Sequence, residues 1–164
     1  MRIWSYGDEN SNTIRVPTPY YYLETMPFVL KNADITIHSP QDLRQYRLSK
    51  IRGVKHTNNI TKGLSHVYDM SSTEDMFKLL FNGKVDVVLT NTLDGELVLS
   101  RLNLSDAVEK QTPLARLPLY HYIHKKHKSL IPKINREILR MKMSGELDQL
   151  ISLAEQIIVE KNQH

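Results

Sequence analysis

The chain has 164 residues, 40% of them hydrophobic and 24% charged, room for one domain or two small lobes of ordinary globular composition. It contains no cysteine, which excludes disulfides, thiolate metal sites and cysteine nucleophiles. A formal net charge of +4 permits anionic partners but is a thin excess for a nucleic-acid-binding domain.

The opening run Met1-Arg2-Ile3-Trp4-Ser5-Tyr6-Gly7-Asp8 has no apolar signal core and no small-residue cleavage site, so no export signal is expected in the sequence as it stands. No stretch approaches the roughly 20 apolar residues of a membrane helix. Residues 1–19 are polar and broken by Gly7, Pro17 and Pro19, with Ile14-Arg15-Val16 as a brief strand. Tyr20 to Lys31 is rich in aromatic and branched residues and reads as extended, with Pro27 assigning it to an edge or a bend. Asp34 to Ile37 alternates weakly. Ser39-Pro40-Gln41-Asp42-Leu43 opens a short helix: a hydroxyl cap, proline at the first helical position, and an acid at the positive end.

Lys50 to Lys55 reads as a short strand that ends at the polar turn His56-Thr57-Asn58-Asn59, from which a helix is expected to run to about His66. Val67 to Met70 is a short strand. Ser71 to Leu80 combines a hydroxyl cap, the acid pair Glu74 and Asp75, and an apolar face, and so predicts a helix. After the Asn82-Gly83 turn, Lys84 to Asn91 is a continuous apolar strand. Such a strand is buried on both faces, which predicts a mainly parallel sheet flanked by helices. Open sheets of this kind bind ligands just past the carboxyl ends of their strands, where Thr57 and Asn91 fall. Thr92 to Leu102 reads as helix with Asn91 or Thr92 as its cap. Val108 to Leu114 and Leu117 to Ile123 read as extended. Ile131, Ile134, Ile138 and Met141 share one helical face, and Ser144-Gly145-Glu146 separates that helix from a last one carrying Leu147, Leu150, Ile151, Ala154, Ile157 and Ile158.

The sequence has no Gly-x-Ser-x-Gly elbow, no His-Glu-x-x-His and no phosphate-binding Gly-x-x-x-x-Gly-Lys. Asp69, Glu74, Asp75 and Asp86 read as helix-start and turn acids, so no catalysis is expected. His121, His124 and His127, with Lys125, Lys126 and Lys128, form a basic cluster. His121 and His124 alternate across a strand, so the cluster reads as a solvated strand end rather than a metal set. No cofactor and no metal are expected.

Taken in order and at their intervals, several pieces resemble the type 2 periplasmic solute-binding proteins. They are Pro19-Tyr20-Tyr21, Phe28-Val29-Leu30-Lys31, Ser39 to Leu43, Arg52-Gly53-Val54, Gly83 to Val88, Leu130 to Asn135, and Ser144 to Leu147. The nearest branch is the one that binds polar amino acids and feeds transporters, and the resemblance runs from Ile14 to Ile151. It implies an α/β fold with one complete lobe, two crossing strands, and C-terminal helices of a truncated first lobe. The implied division is residues 1–31 (first-lobe remnant and first crossing), 32–116 (second lobe) and 117–164 (return crossing and C-terminal helices). Most of a first lobe would precede Met1, together with a signal peptide and the carboxylate-binding arginine of the family.

The resemblance also implies a binding site. Thr57 and Asn58 stand where the family grips a ligand carboxylate at a helix start. His56 replaces a usual glycine, which narrows the pocket or adds a cation below its pKa. Asn91 replaces the aspartate that pairs with a ligand ammonium. An amide carries no charge, and a buried ammonium without a counter-ion is costly, so this departure points to a neutral or anionic ligand. Tyr20 or Tyr21 would stack on the ligand from the first crossing. Helix capping by Thr57 and Asn91, and ordinary packing by the tyrosines, remain open beside these roles. The expected function is non-enzymatic binding of a small polar solute between lobes, with affinity weak or lost in this chain. A transporter permease or a sensor is the expected partner, and the location is periplasmic given an upstream signal peptide. The last helix's apolar face predicts a homo-oligomer, by exchange of crossing strands and C-terminal helices. The alternatives are a ligand-sensing regulatory domain of the same fold and a basic nucleic-acid-binding module built on His121 to Lys128.

Overall fold

The computed structural model describes residues 2–3 and 12–161; the rest of the opening segment read above for an export signal lies outside the described residues. In chain order the elements are β1 (Arg2–Ile3), β2 (Thr13–Arg15), β3 (Tyr21–Leu30), a 3-10 turn (Pro40–Gln45), β4 (Leu48–Ile51), α1 (Lys55–Thr61), β5 (Val67–Met70), α2 (Thr73–Phe81), β6 (Val87–Asn91) and α3 (Thr92–Arg101). A second 3-10 turn (Ser105–Ala107), β7 (Val108–Lys110), β8 (Ala115–Tyr120), β9 (Tyr122–His124), a third 3-10 turn (Lys125–Leu130), α4 (Ile131–Ser144) and α5 (Glu146–Lys161) complete the chain. Two compact units divide it. One comprises Met1–Leu23 with Leu117–Ile157, the other Glu24–Arg116 with Ile158–His164.

The larger unit is an α/β sandwich around the strands β5, β4, β6 and β3 in that spatial order, with β7 also on β3. Parallel pairing is confined to β5–β4–β6, whereas β3 runs antiparallel to β6 and to β7. Alternation along each strand splits the core into two layers. Met26, Phe28 and Val88 face α2 and α3 through Met76, Phe77, Leu80, Val98 and Leu99. Val29, Leu48, Val87 and Leu89 face the other way, onto Ile37, Leu43 and Ile60. Arg47 locks the start of β4 to the start of β6: its guanidinium donates to both oxygens of Asp86, at 2.6 and 3.0 Å, and to the Gly83 carbonyl at 3.0 Å.

Two expectations are corrected here. Pro27 does not mark an edge, since β3 lies inside the sheet. The Pro27 carbonyl accepts from the Gln111 amide (3.0 Å), beyond the end of β7, and the Thr25 carbonyl accepts from Leu114 (2.9 Å), before β8 begins. The side of β3 on which proline lacks an N–H therefore faces the break between β7 and β8, where no ladder bond is lost. The helix expected from Thr57 to His66 opens two residues earlier and closes five earlier, at Lys55–Thr61. Gly53 (φ +78°) turns the chain sharply out of β4, so Val54 rather than Thr57 takes the cap position, and Gly63 (φ +83°) follows soon after the helix stops. Caps read from sequence elsewhere are in place. Ser72 Oγ accepts from the Asp75 amide (3.1 Å) and Asn91 Oδ1 from the Asp94 amide (2.8 Å).

The smaller unit pairs β2 with β9 and β1 with β8, both antiparallel. Helices α4 and α5 are joined through Gly145, which caps α4 in the left-handed region. Asn135 Oδ1 accepts from the Thr18 amide (2.9 Å), and Tyr21 donates its hydroxyl to Glu155 (2.6 Å). Of the apolar face read on the last helix, Leu147 and Ile151 are half-buried while Leu150, Ala154, Ile157 and Ile158 are exposed. Among the described residues no helix is long and apolar enough to cross a membrane.

Candidate functional site

Strands β4 and β6 run parallel and stop together, and the chain leaves each at a polar corner. Gly53 turns β4 into α1, and Asn91 turns β6 into α3 by capping it. Between these corners lies a pocket of about 220 Å³ in the larger unit, lined by the apolar Ile51, Val54 and Leu89 and by His56, Thr57, Thr90, Asn91 and Asp94. Three of the residues singled out in the sequence therefore share one pocket: His56, Thr57 and Asn91. Asn58 does not line it. Its Oδ1 accepts instead from Lys50 Nζ (2.6 Å), an ammonium buried at the sheet surface that also pairs with Asp69. Tyr20 belongs to the smaller unit, where its ring stacks on His121 with centroids 3.9 Å apart, and burial raises its pKa.

Each pocket group already has a structural partner, which limits what it offers a ligand. Thr57 is almost wholly buried and donates its hydroxyl to the Val54 carbonyl (3.1 Å). His56 is hydrogen-bonded through Nδ1 to the hydroxyl of buried Thr25 on β3 (2.6 Å), and burial lowers the pKa of its ring. The imidazole is therefore neutral near pH 7. Asn91 spends its side-chain oxygen on the Asp94 amide and keeps its NH₂.

Asp94 escaped the sequence reading. It lies in the first turn of α3, and one oxygen, Oδ2, accepts from Thr90 Oγ1 (3.0 Å) and from Thr73 Oγ1 at the start of α2. The carboxylate thus sits between two helix N-termini, whose partial positive charge favours it. Its other oxygen, Oδ1, accepts no hydrogen bond among the described residues. Among the described residues, no group of three or more His, Asp or Glu converges in a way that could hold a metal.

No protein-family model matches the chain. An uncharacterized protein of Shewanella oneidensis is 30% identical over 154 residues, which is 88% of this chain and 56% of that relative. Among solved structures, a mutant of ArgBP from T. maritima aligns over 92% of this chain and 64% of its own, at 20% identity and a TM-score of 0.63. The amino acid ABC transporter substrate-binding protein AbpA from Streptococcus pneumoniae, bound to L-arginine, aligns over 93% and 65% at 22% identity and a TM-score of 0.64. The GluR0 ligand-binding core in complex with L-glutamate aligns over 94% and 66% at 16% identity and a TM-score of 0.62.

The fold is that of the type 2 periplasmic solute-binding proteins. The chain spans a little over half the length of its curated relative and about two thirds of the length of these structures. Within a type 2 lobe, the pocket occupies the position the general rule for open α/β sheets assigns to ligands, beyond the carboxyl ends of parallel strands. The sequence signal for Asp94 was present: Asn91-x-x-Asp94 is a capping spacing, and an acid at that position reads as helix stabilisation alone. What sequence could not supply is Thr73, 21 residues away, which helps fix the carboxylate against the pocket.

Proposed function

We propose that this chain is a non-catalytic binder of a small polar solute, held in the larger unit by His56, Thr57, Asn91 and Asp94. The observation that carries this reading is the convergence of these groups on one pocket at the ends of β4 and β6. The fold supports it, since neighbours of the same fold are described as bound to L-arginine or in complex with L-glutamate. In this reading residues 32–116 form the ligand-holding lobe, and the solute is delivered to a transporter's membrane component outside the cytoplasm. The expected homo-oligomer belongs to the same reading, a second copy covering Leu150 and Ile157 of α5; a concentration-independent monomer in light scattering refutes that part. The binding test is calorimetry against amino acids, small amines and small carboxylates at millimolar concentration. At least one class gives saturable heat that Asn91→Ala reduces. Silence from the whole panel overturns the proposal.

A further inference from the structure

We propose that the pocket takes a primary alkylammonium group, paired with the open oxygen of Asp94, and rejects a carboxylate in the same place. This rests on reading the pocket as a ligand site, and it reverses the ligand charge that Asn91 alone suggested. Among the described residues, Asp94 is the one formally charged side chain on the pocket wall and no lysine or arginine lines it, while His56 is held neutral by burial. The hydroxyls on the wall also face a particular way. Thr57 gives its proton to the Val54 carbonyl and Thr90 gives its proton to Asp94 Oδ2, so neither hydroxyl has a proton left to donate and each oxygen can only accept. Asp94 Oδ1, which accepts no hydrogen bond among the described residues, is the acceptor such a group would meet.

A carboxylate would meet the opposite situation. The Asn91 NH₂ is still a donor, but the Thr57 hydroxyl that would donate beside it is already committed, and α1, with seven residues, is too short to offer a strong positive end. It would also lie beside the Asp94 carboxylate, with no lysine or arginine on the wall among the described residues. The volume of about 220 Å³ equals roughly seven waters, enough for a small amine head group with a short alkyl chain.

The test is a ¹⁵N–¹H NMR titration of the full chain with n-butylammonium chloride and, separately, with sodium butyrate, at matched ionic strength. The amides of Thr90, Asn91 and Asp94 shift saturably with the amine and stay in place with butyrate. Asp94→Asn, nearly isosteric and still able to accept from Thr73 and Thr90, weakens amine binding at least tenfold. Asn91→Asp adds a second charge while retaining a good helix cap, and tightens amine binding severalfold, so the idea stays testable even where Asp94→Asn fails to fold. Butyrate shifting these amides in place of the amine, or amine affinity unchanged in both variants, overturns the proposal. Silence from every class of the panel, amines included, overturns both this inference and the solute-binding function. Saturable heat from amino acids or carboxylates with no response to butylammonium overturns this inference and leaves that function standing.

Discussion

Gly95→Ala tests how tightly the pocket is tied to the core. Gly95 sits one residue past Asp94 on α3, directly over Phe28 of β3. A methyl group there would lie 2.3 Å from Phe28 Cζ and 2.5 Å from Cε2, against about 3.5–4.0 Å for carbon atoms in contact. The ring cannot yield easily: Phe28 is 1% exposed and meets the Phe77 ring edge-on at 5.6 Å. Overpacking of this kind costs about 1–3 kcal/mol, and a clash of more than 1 Å with a ring already wedged against another belongs at the upper end. Alanine returns about 1 kcal/mol through helix propensity. The net expectation is a loss of about 2 kcal/mol, or roughly 4–8 °C in Tm for a chain of this size. Urea unfolding followed by circular dichroism measures it, with an unchanged slope showing that the denatured state is not the cause. Phe28→Leu in the Gly95→Ala background recovers part of the loss, giving a coupling of about 1 kcal/mol in a double-mutant cycle. A Gly95→Ala variant at or above parental stability would mean that α3 rides loosely on β3, and that the placement of Asp94 is not set by the core.

Acid stability depends on Asp86. Hydrogen bonds from Arg47 hold its carboxyl below the ordinary value, so its contribution is complete above about pH 3.9, the unfolded-state value, and is lost as pH falls through the folded-state value. In Asp86→Asn that part of the acid transition flattens, as read by Tm against pH. His56 acts in a neighbouring window: burial lowers its folded pKa, so the unfolded chain binds the proton first as pH drops below about 6.5. Stability therefore declines from there towards the folded value, and His56→Gln removes that slope. Lys50, buried against Asn58 and Asp69, tests a third point. Asp69→Asn leaves the ammonium without its charged partner and destabilises by about 1–3 kcal/mol, while adding Lys50→Met restores most of the loss; a neutral Asp69→Asn would show that Asn58 alone suffices.

The fold was legible wherever local chemistry and tertiary position agreed. The apolar run through Val87, Val88 and Leu89 meant burial on both faces, and β6 is indeed covered on both sides. Ser72 and Asn91 were readable as caps because the acid each pairs with is three residues on. Reading failed where a residue's meaning depends on distant chain. Pro27 is a strand breaker by propensity, but the gap between β7 and β8, more than 80 residues later, removes the penalty. Asn91, read alone, pointed to a neutral or anionic ligand, and that reading left out the Asp94 carboxylate, one helical turn further on and held in place by Thr73. Lys50 gave no sign of burial, since its partners Asn58 and Asp69 lie on two other elements.

How tightly this pocket grips follows from where its groups originate. His56, Thr57, Thr90, Asn91 and Asp94 all belong to one unit, so the binding chemistry described is that of a single wall. A charge-assisted hydrogen bond to Asp94 is worth about 1.5–3 kcal/mol. Half-burying the four methylene or methyl groups of butylammonium against Ile51 and Leu89 adds about 1.5 kcal/mol at roughly 0.8 per fully buried group. The sum, about 3–4.5 kcal/mol before the cost of immobilising the ligand, corresponds to a Kd in the millimolar range. The same arithmetic limits what any small amine can achieve here without a second surface. Micromolar affinity for butylammonium, measured with the monomeric chain, would require contacts that this pocket does not possess, and would show that the wall has been read with too few of its groups.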